Sequence, residues 1–321
     1  MTLSKPLSVD GPDMRHENKI SVVVPTYRRA EGLSKTLESL RTQIFADIPV
    51  EIVVADNNPD GEAREQVAVF GRASGVQVHY VHAKIPGVSN ARNAAMDVAS
   101  GRYIAFLDDD QYAAPNWLEE MYKVLKVNNC CAVFCQTRAC VDETSPHRDY
   151  LKRFFSRDRP DLETGKIDRF FGAGNSLIDR EAVDMPSPVF SLAMNETGGE
   201  DDILFESFLK QGGVMGWTKE THVFEDIPAK RQTAKYIRVR SFAFGQGPTR
   251  MNADLGPFNL LGITKWMCIG AAQFVVFAPL AAICRIVKPS HYLSFLSKAS
   301  AGAGKVLWQK PFRPKLYGAG A

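Results

Sequence analysis

Short apolar runs alternate with amphipathic segments along the first two thirds of the chain. The runs are rich in β-branched residues, which is typical of strands buried on both faces of a parallel sheet. They predict strands at Ile20–Pro25, Val50–Ala55, Val76–Val81, Ile104–Leu107 and Ala132–Cys140. Apolar residues at helical spacing predict helices at Glu31–Thr42, Glu62–Phe70, Ser89–Ala99, Pro115–Val127 and Ile203–Lys210. This alternation predicts an α/β fold with a Rossmann-like, doubly wound and mostly parallel central sheet.

Three segments lack such a pattern and divide the chain. Residues 1–18 are polar and contain two prolines, so we expect a disordered lead. Residues 142–168 are polar and mixed, and we expect a loop that covers the site. A linker is expected near Asp226–Pro228. The predicted organisation is a lead at 1–18, an α/β domain at 19–227 and a C-terminal region at 228–321.

The C-terminal region contains the longest apolar run of the chain. Trp266–Cys284 carries no charge over 19 residues, which is close to the length that crosses the hydrocarbon core of a bilayer. Lys265, Arg285 and Lys288 flank the run. We predict a membrane-associated helix at 266–284. A buried helix of a soluble protein is the alternative, and an interfacial or re-entrant segment competes with a full span.

Charge is distributed unevenly along the chain. The formal net charge is +3, but residues 228–321 hold 14 Lys and Arg against one acid, Asp254. That region is therefore +13, and the remainder, with 25 bases and 35 acids, is −10. A basic region on an acidic body predicts a polyanionic partner. Because the bases flank an apolar run, we expect an anionic membrane surface and no nucleic acid.

Four of the six cysteines lie close together at Cys130, Cys131, Cys135 and Cys140. They fall in or beside a predicted buried strand, and their spacing fits no common zinc pattern. We expect these thiols to pack in the core, which favours a reducing, cytosolic setting.

Three consecutive carboxylates, Asp108–Asp110, follow the predicted strand at Ile104–Leu107. Adjacent carboxylates repel one another, so folding alone does not favour this triplet. A divalent cation would relieve the repulsion, since Mg²⁺ and Mn²⁺ prefer hard oxygen ligands. Ligands of open α/β sheets bind at the carboxyl ends of strands, where this triplet is expected to lie. A solvated acidic turn is the alternative.

Four further features stand in order along the chain: Pro25–Arg29, Asp56, Asn90–Asn93 and Gly199–Asp201. Together with the triplet, their order and spacing closely resemble the family 2 glycosyltransferases of the GT-A fold. The resemblance covers roughly Lys19 to His222. It implies a GT-A domain and inverting transfer of a sugar from a nucleotide-diphosphate sugar, of UDP type, to a hydroxyl group.

The resemblance also implies which residues bind the donor. Pro25, Thr26, Tyr27 and Arg28 match the loop that wraps the base and the ribose. Asp56 matches the aspartate at the uracil edge, and Arg92 matches an arginine near the nucleotide. Asp108 matches the position at the ribose, Asp109 is expected to assist, and Asn175 matches a residue that lines the donor pocket. Each has a plainer interpretation. Thr26, Tyr27 and Asn175 could be turn residues, Asp56 could form an Asx turn with the asparagines that follow it, and Arg92 could be an exposed helix charge.

The same resemblance implies that three acidic residues bind the metal and take part in catalysis. Asp110 matches the principal ligand of Mn²⁺ or Mg²⁺, Asp201 matches the general base, and Glu200 is expected to orient the acceptor. An acid at a helix start is also favoured by the helix dipole alone, so Asp201 could simply serve the helix. Asp202 leaves a one-residue slip open, and Ile203 stands where the family often carries another acid.

The basic residues after His222 resemble the end of succinoglycan-type glucosyltransferases. This implies a lipid-linked saccharide acceptor, used in bacterial exopolysaccharide or surface-glycan synthesis at the cytoplasmic face of the cell membrane. A sugar nucleotidyltransferase is one alternative, although such enzymes usually need a glycine-rich phosphate loop after the first strand and Pro25–Arg29 has no glycine. A membrane-tethered sugar-nucleotide binding protein without turnover is the other.

Overall fold

The computed structural model describes residues 18–43, 48–195 and 199–314, and the chain divides into two compact units. Among the described residues, the first unit consists of 18–43, 48–135, 161–195 and 199–222. The second consists of 136–160 and 223–314. The lead predicted at 1–18 lies outside the described residues except for Asn18.

The strands of the sheet are β1 Ile20–Thr26, β2 Val50–Asp56, β3 Gln77–His82, β4 Tyr103–Leu107, β5 Gln111–Ala113, β6 Ala132–Cys140, β7 Gly165–Ile167, β8 Asn175–Asp179 and β9 Met215–Asp226. The helices are α1 Ala30–Leu40, α2 Arg64–Ser74, α3 Val88–Met96, α4 Trp117–Asn128, α5 Arg148–Phe155, α6 Glu200–Lys210, α7 Ala234–Met251, α8 Leu260–Val287 and α9 Pro289–Val306. Short 3₁₀ turns lie at Leu192–Met194, Ala229–Arg231 and Lys310–Phe312.

Strand order places the ends of β1, β2 and β4 at one edge of the sheet. The order is β3-β2-β1-β4-β8-β6-β9-β5, with β7 on β9. The pairs β3–β2, β2–β1 and β1–β4 are parallel, whereas β8 is antiparallel to β4 and β6. The register pairs Thr26 with Asp56, and Leu107 with Asn175. The carboxyl ends of three parallel strands and the start of β8 therefore meet, which is where α/β sheets bind ligands.

Apolar strands and the helices on them form the core of the first unit. Phe106 of β4 meets Phe190 edge to face at 5.3 Å, and Phe134 of β6 meets Phe205 of α6 at 4.9 Å. Each ring is completely buried, which stabilises the fold by roughly 1.5–3 kcal/mol per side chain. The predicted α/β fold with a Rossmann-like parallel sheet is confirmed, and the structure adds an antiparallel half beyond β4.

The segment predicted as a loop at 142–168 is instead partly ordered, and that expectation was wrong in part. It contains helix α5 at Arg148–Phe155 and the short strand β7. Leu151 of α5 is buried in a cluster of the second unit that includes Ile237 and Leu293. The helix was not predicted because Leu151 is its only buried residue, and a single buried position among charged residues gives no helical periodicity.

Three helices, α7, α8 and α9, make up most of the second unit, and glycines allow them to approach closely. A Cβ atom added to Gly302 of α9 would lie 2.7 Å from the carbonyl oxygen of Gly270 in α8. One added to Gly304 would lie 2.1 Å from the carbonyl oxygen of Phe242 in α7. Small residues at such crossings are typical of helices that pack in membranes.

Helix α8 encloses the predicted apolar segment at 266–284 and is long and apolar enough to cross a membrane. In α8 only Ile263, Gly270 and Ala281 are buried, and no other described helix passes the same test of length and composition. Most of α8 is therefore not buried in the second unit, which argues against the alternative of a buried helix.

Candidate active site

The middle aspartate of the triplet is an internal anchor. Asp109 is 6% exposed, and its Oδ2 accepts hydrogen bonds from Thr26 Oγ1 at 2.9 Å and from the Tyr27 backbone N–H at 3.2 Å. Burial raises the pKa of Asp109 to about 6, although the charge of Arg29 opposes this rise. The loop after β1 is therefore fixed to the end of β4 by one carboxylate.

Arg29 neutralises the triplet from the same loop. Its Nη1 lies 2.8 Å from Asp109 Oδ1 and 2.7 Å from Asp110 Oδ2. Sequence reasoning included Arg29 in the first motif but gave it no role. Its position explains how adjacent carboxylates are tolerated, because a guanidinium presents several donors in a fixed fork.

Asp108 extends toward Arg92 of α3 and packs on the backbone of Gly174. Arg92 Nη2 lies 3.1 Å from Asp108 Oδ1, and a Cβ atom added to Gly174 would lie 2.0 Å from Asp108 Oδ2. Gly174 therefore leaves room for the carboxylate, a close approach that only glycine permits.

Arg92 joins the triplet to the Glu-Asp pair. Its Nη1 lies 2.6 Å from Glu200 Oε1, and its guanidinium stands 5.3 Å from the centroid of Phe190. Arg92 is 4% exposed, so it is not the exposed helix charge that the sequence left open. Its burial would lower its pKa, but Asp108 and Glu200 outweigh this and raise it. Arg92 Nε is buried and has no hydrogen-bond partner in the described structure.

Glu200 and Asp201 begin helix α6, and their surroundings differ. Glu200 is buried, and this burial raises its pKa against the effect of Arg92. Asp201 is half-buried, and its Oδ2 accepts a hydrogen bond from the Ala173 backbone N–H at 3.2 Å. The helix cap itself is Gly199, with no side-chain hydrogen bond. Asp201 thus lies in the first turn and is held by the segment before β8.

Asp56 ends β2 and is 1% exposed. Its carboxylate accepts hydrogen bonds from the backbone N–H groups of Asn58 and Ala63, each at 2.9 Å, and from the Tyr80 hydroxyl at 3.0 Å. Burial and this bond to Asp56 raise the pKa of Tyr80 to about 12. The bond to Asn58 is the Asx turn that the sequence left as an alternative, so Asp56 shapes the loop that follows β2.

Asn175 begins β8 and points into the core. Its Oδ1 accepts from Trp117 Nε1 at 2.9 Å, and its Nδ2 donates to the Cys135 carbonyl oxygen at 2.9 Å. Sequence reasoning missed Trp117. These bonds tie β8 to α4 and β6, so the amide holds the strand on which the neighbouring Gly174 is carried.

Two residues of the first motif remain open to a ligand. Tyr27 is 46% exposed, and the Arg28 guanidinium lies 5.4 Å from its ring centroid. Arg28 adopts φ of 53°, a left-handed conformation that is uncommon outside glycine. Pro25 is half-buried at the end of β1. An exposed ring and a cation thus stand directly beside the triplet.

The described residues contain no group of three or more His, Cys, Asp or Glu arranged to hold a metal ion. Mg²⁺ in phosphate-transferring sites is commonly held by one or two carboxylates, with substrate phosphates and water completing its coordination. Asp108 and Asp110, both half-buried, offer oxygen ligands of that kind. These carboxylates therefore fit a divalent ion whose remaining ligands are phosphate oxygens and water.

Comparison with known proteins identifies the family. The sequence profile described as "Glycosyl transferase family 2" matches residues 21–185. The chain is 30% identical over 236 residues to the succinoglycan biosynthesis protein ExoM of Rhizobium meliloti, covering 73% of this chain and 75% of ExoM. The chain belongs to glycosyl transferase family 2 and is a glycosyltransferase. The predicted family is thus confirmed, and membership argues against the nucleotidyltransferase alternative.

A second relative covers less of its own length. The chain is 32% identical over 110 residues to WfgD of Escherichia coli, described as a UDP-Glc:alpha-D-GlcNAc-diphosphoundecaprenol beta-1,3-glucosyltransferase. The match covers 34% of this chain and 42% of WfgD.

Solved structures share the fold. A mannosyltransferase from Pyrobaculum calidifontis, in complex with GDP-Man and Mn²⁺, superposes with a TM-score of 0.55 at 19% identity. It covers 95% of this chain and 91% of that chain. Residues 1–349 of Staphylococcus aureus TarS superpose with a TM-score of 0.51 at 15% identity, covering 90% of each chain. These likenesses concern the fold alone.

Proposed function

We propose that this glycosyltransferase moves a sugar from a nucleotide-diphosphate sugar, of UDP type, to a hydroxyl of a lipid-linked saccharide, with inversion. We place the reaction at the cytoplasmic face of the cell membrane, in exopolysaccharide or surface-glycan assembly. The name of WfgD supports a UDP-sugar donor and a lipid-linked acceptor, and the name of ExoM supports a role in polysaccharide synthesis. The observation that carries the proposal is Arg92, whose guanidinium binds Asp108 and Glu200 and so brings both motifs into one site.

We assign the donor to the edge of the sheet beside the triplet. The exposed ring of Tyr27 and the Arg28 guanidinium suit a base and its phosphates, and Thr26 and Asp109 hold their loop in place. Asp56 acts on the base end through the loop it shapes. Asn175 supports the pocket wall from within the core.

Asp110, with Asp108 beside it, would hold Mn²⁺ or Mg²⁺. When bound, the ion would offset the negative charge that gathers on the diphosphate leaving group. Arg29 now contacts Asp110 Oδ2, so it competes for the oxygen that we assign to the metal. The structure with Mn²⁺ of the mannosyltransferase supports a divalent ion in this fold class.

We assign the role of general base in the transfer to Asp201. The acceptor hydroxyl oxygen forms a bond to the anomeric carbon while the bond from that carbon to the diphosphate oxygen breaks. The hydroxyl proton passes to Asp201, and the nucleoside diphosphate leaves with the bonding electron pair. The Ala173 N–H donates to Asp201 Oδ2 and the Asp202 N–H donates to Asp201 Oδ1 at 3.0 Å, and these two bonds orient the carboxylate that takes the proton. Glu200 positions the site through Arg92.

The first test combines purified protein, a panel of nucleotide-sugars and Mn²⁺. A donor that binds should raise the melting temperature, because a ligand that binds only the folded state stabilises it. Transfer to a saccharide diphosphate lipid should release a nucleoside diphosphate. A protein that neither binds nor hydrolyses any donor would overturn the proposal.

The Asp201→Asn variant tests the base. It should lower kcat by about 10²–10⁴-fold, while donor affinity stays close to that of the wild type. Asp202→Asn is the matched control, because Asp202 is the adjacent acid and is exposed. Full activity in the Asp201 variant refutes the assignment, and loss of activity only in the Asp202 variant shifts the base by one residue. A protein that binds donors and never turns over would be the sugar-nucleotide binding protein that the sequence left open.

A further inference from the structure

A cavity of about 540 Å³ opens among α7, α8 and α9 of the second unit. This volume is within the roughly 300–1,000 Å³ of ligand sites. Its walls are mostly apolar, with Phe242 from α7, Phe274 from α8 and Leu296 from α9. Alanines of α8 and α9 leave the space open, since larger side chains at Ala278 and Ala299 would fill it.

The register of the helices shows that the cavity is long. The Ser241 and Ser297 hydroxyls lie 2.8 Å apart, and Thr249 Oγ1 donates to the Lys305 carbonyl oxygen at 2.9 Å, so α7 and α9 run parallel. Its lining in α9 extends from Tyr292 to Ala303, which is about 16 Å at the rise of an α-helix. A groove of this length suits an extended chain rather than a compact ligand.

Two arginines, Arg238 of α7 and Arg285 of α8, line the cavity toward the end where α8 meets α9. Both are exposed, and neither forms an ion pair with an acid in the described part of the chain. Asp254, the one acid after residue 228, contacts Arg250 and Arg313 instead. The groove therefore carries cationic charge that the second unit leaves uncompensated, next to an apolar wall.

We infer that this groove binds the acceptor lipid, with its hydrocarbon chain along the apolar wall and its phosphate groups on Arg238 and Arg285. The inference rests on the proposed function and adds a site for the lipid part of the acceptor. A charged head on an apolar tail complements both halves of the groove. Guanidinium groups bind phosphates with paired hydrogen bonds, which lysines in a general lipid-facing surface do not provide.

The site can be mapped by photo-crosslinking of the full chain in nanodiscs of neutral phosphatidylcholine. The probe is undecaprenyl diphosphate that carries a diazirine near the end of its hydrocarbon chain. We expect adducts on residues of α7, α8 and α9 that line the groove. Unlabelled undecaprenyl diphosphate should compete, and phosphatidic acid at the same concentration should not.

Two pairs of variants make the test specific. Arg238→Gln and Arg285→Gln should each weaken probe binding about tenfold or more, since a hydrogen bond to a charged group is lost. Lys235→Gln and Lys265→Gln are their controls, because these exposed cations lie on the same helices outside the groove. Ala282→Trp should block the groove, and Ala272→Trp adds the same bulk to α8 away from it.

Several results would overturn the inference. Equal competition by phosphatidic acid would make the region a general lipid surface, and equal effects of the control variants would do the same. Absence of adducts in the groove, with a dimer in solution, would assign it to a second copy of this chain. Melting temperatures of all variants show whether any loss reflects unfolding.

The two proposals can fail separately. A saccharide on a short, water-soluble aryl diphosphate tests transfer without a hydrocarbon chain. Transfer to this acceptor, with no effect of the arginine variants on the long-chain acceptor, rejects the groove and keeps the proposed function. Groove labelling without transfer to either acceptor rejects the function and leaves a lipid site.

Discussion

Two arginines of the first unit and two of the second differ in their surroundings. In the first unit Arg92 and Arg29 each lie between two carboxylates, and Arg92 is almost completely buried. In the second unit Arg238 and Arg285 are exposed, and neither forms an ion pair with an acid among the residues that the structure describes. A guanidinium whose charge is balanced inside the protein can position other groups, whereas one without an acid is available to an external anion.

A buried ion pair elsewhere in the first unit shows that balanced charges alone do not identify a functional site. Lys19 and Glu51 form a buried ion pair at the amino ends of β1 and β2, away from the triplet. Ser21 Oγ and the Ser100 backbone N–H also donate to Glu51 Oε1, at 2.5 Å and 2.8 Å. This pair joins strands, and its other partners include serine hydroxyls, the Gln77 amide and the half-buried ring of His79. The site therefore differs from it by what surrounds the charges.

The largest expected effect follows removal of Arg92. Arg92→Ala leaves Glu200 buried without its partner, so we expect a loss of about 3–5 kcal/mol in the free energy of unfolding. Sugar transfer should be lost as well, because Asp108 and Glu200 then repel one another. Urea unfolding and donor titration measure the two effects.

Arg72→Ala is the control for that variant, since Arg72 forms one exposed ion pair with Glu65. It should cost no more than about 1 kcal/mol. Similar losses in both variants would show that the bridge between the motifs has no special weight, and would remove the observation on which the proposed function stands.

The next effect concerns pH and the Lys19–Glu51 pair. Burial raises the pKa of Glu51, but the hydrogen bonds from Lys19, Ser21 and Ser100 outweigh it and hold the pKa at about 2, against 4.5 for a free group. Because the pKa is lower in the folded state, the stabilisation is complete above 4.5 and disappears as the pH falls to about 2. It amounts to about 3 kcal/mol at most.

Urea unfolding across that range, for the wild type and Glu51→Gln, measures the contribution. The wild type should lose more stability than the variant as the pH falls, while its activity above 4.5 should depend little on this pair. Parallel curves for the two proteins would refute the assigned pKa. Altered donor affinity in the variant would contradict the purely structural role.

What the sequence could predict follows a physical division. Strands β1, β2 and β4 were predictable because burial on both faces leaves continuous β-branched runs, and the triplet was visible because its residues are adjacent. The bond from Thr26 to Asp109 joins residues 83 apart, and that from Arg92 to Glu200 joins residues 108 apart. Such contacts depend on strand order, which no local pattern encodes.

The same division explains why two residues predicted to bind the donor also make hydrogen bonds within the fold. Asp56 and Asn175 match family positions in sequence, yet each satisfies groups of its own fold. Residue type and spacing predict that a polar group stands at a strand end. They do not tell whether backbone N–H groups or a ligand will use it, because those donors come from segments whose course is set by tertiary packing.

A smaller effect tests the packing of the second unit. Gly304→Ala places a methyl group 2.1 Å from the Phe242 carbonyl oxygen, so the helices must shift, at a cost of about 1–3 kcal/mol. Gly247→Ala is the matched control, since no atom lies within 4 Å of the added Cβ. It should be neutral or stabilising by roughly 0.5–1 kcal/mol, because alanine favours the helix. Melting temperatures of both variants decide, and equal values would contradict the close approach of α7 and α9.

The smallest expected change in stability tests the comparison between the two kinds of arginine most directly. Arg238→Gln should change the free energy of unfolding by no more than about 0.5 kcal/mol, because an exposed side chain without an acid partner contributes little to the fold. Arg92 and Arg238 are chemically identical, so the contrast between their variants isolates the surroundings. A large loss of stability in Arg238→Gln would mean that this guanidinium already has a partner within the protein. The charge of Arg238 would then be balanced, and of the two arginines only Arg285 would remain to attract a phosphate.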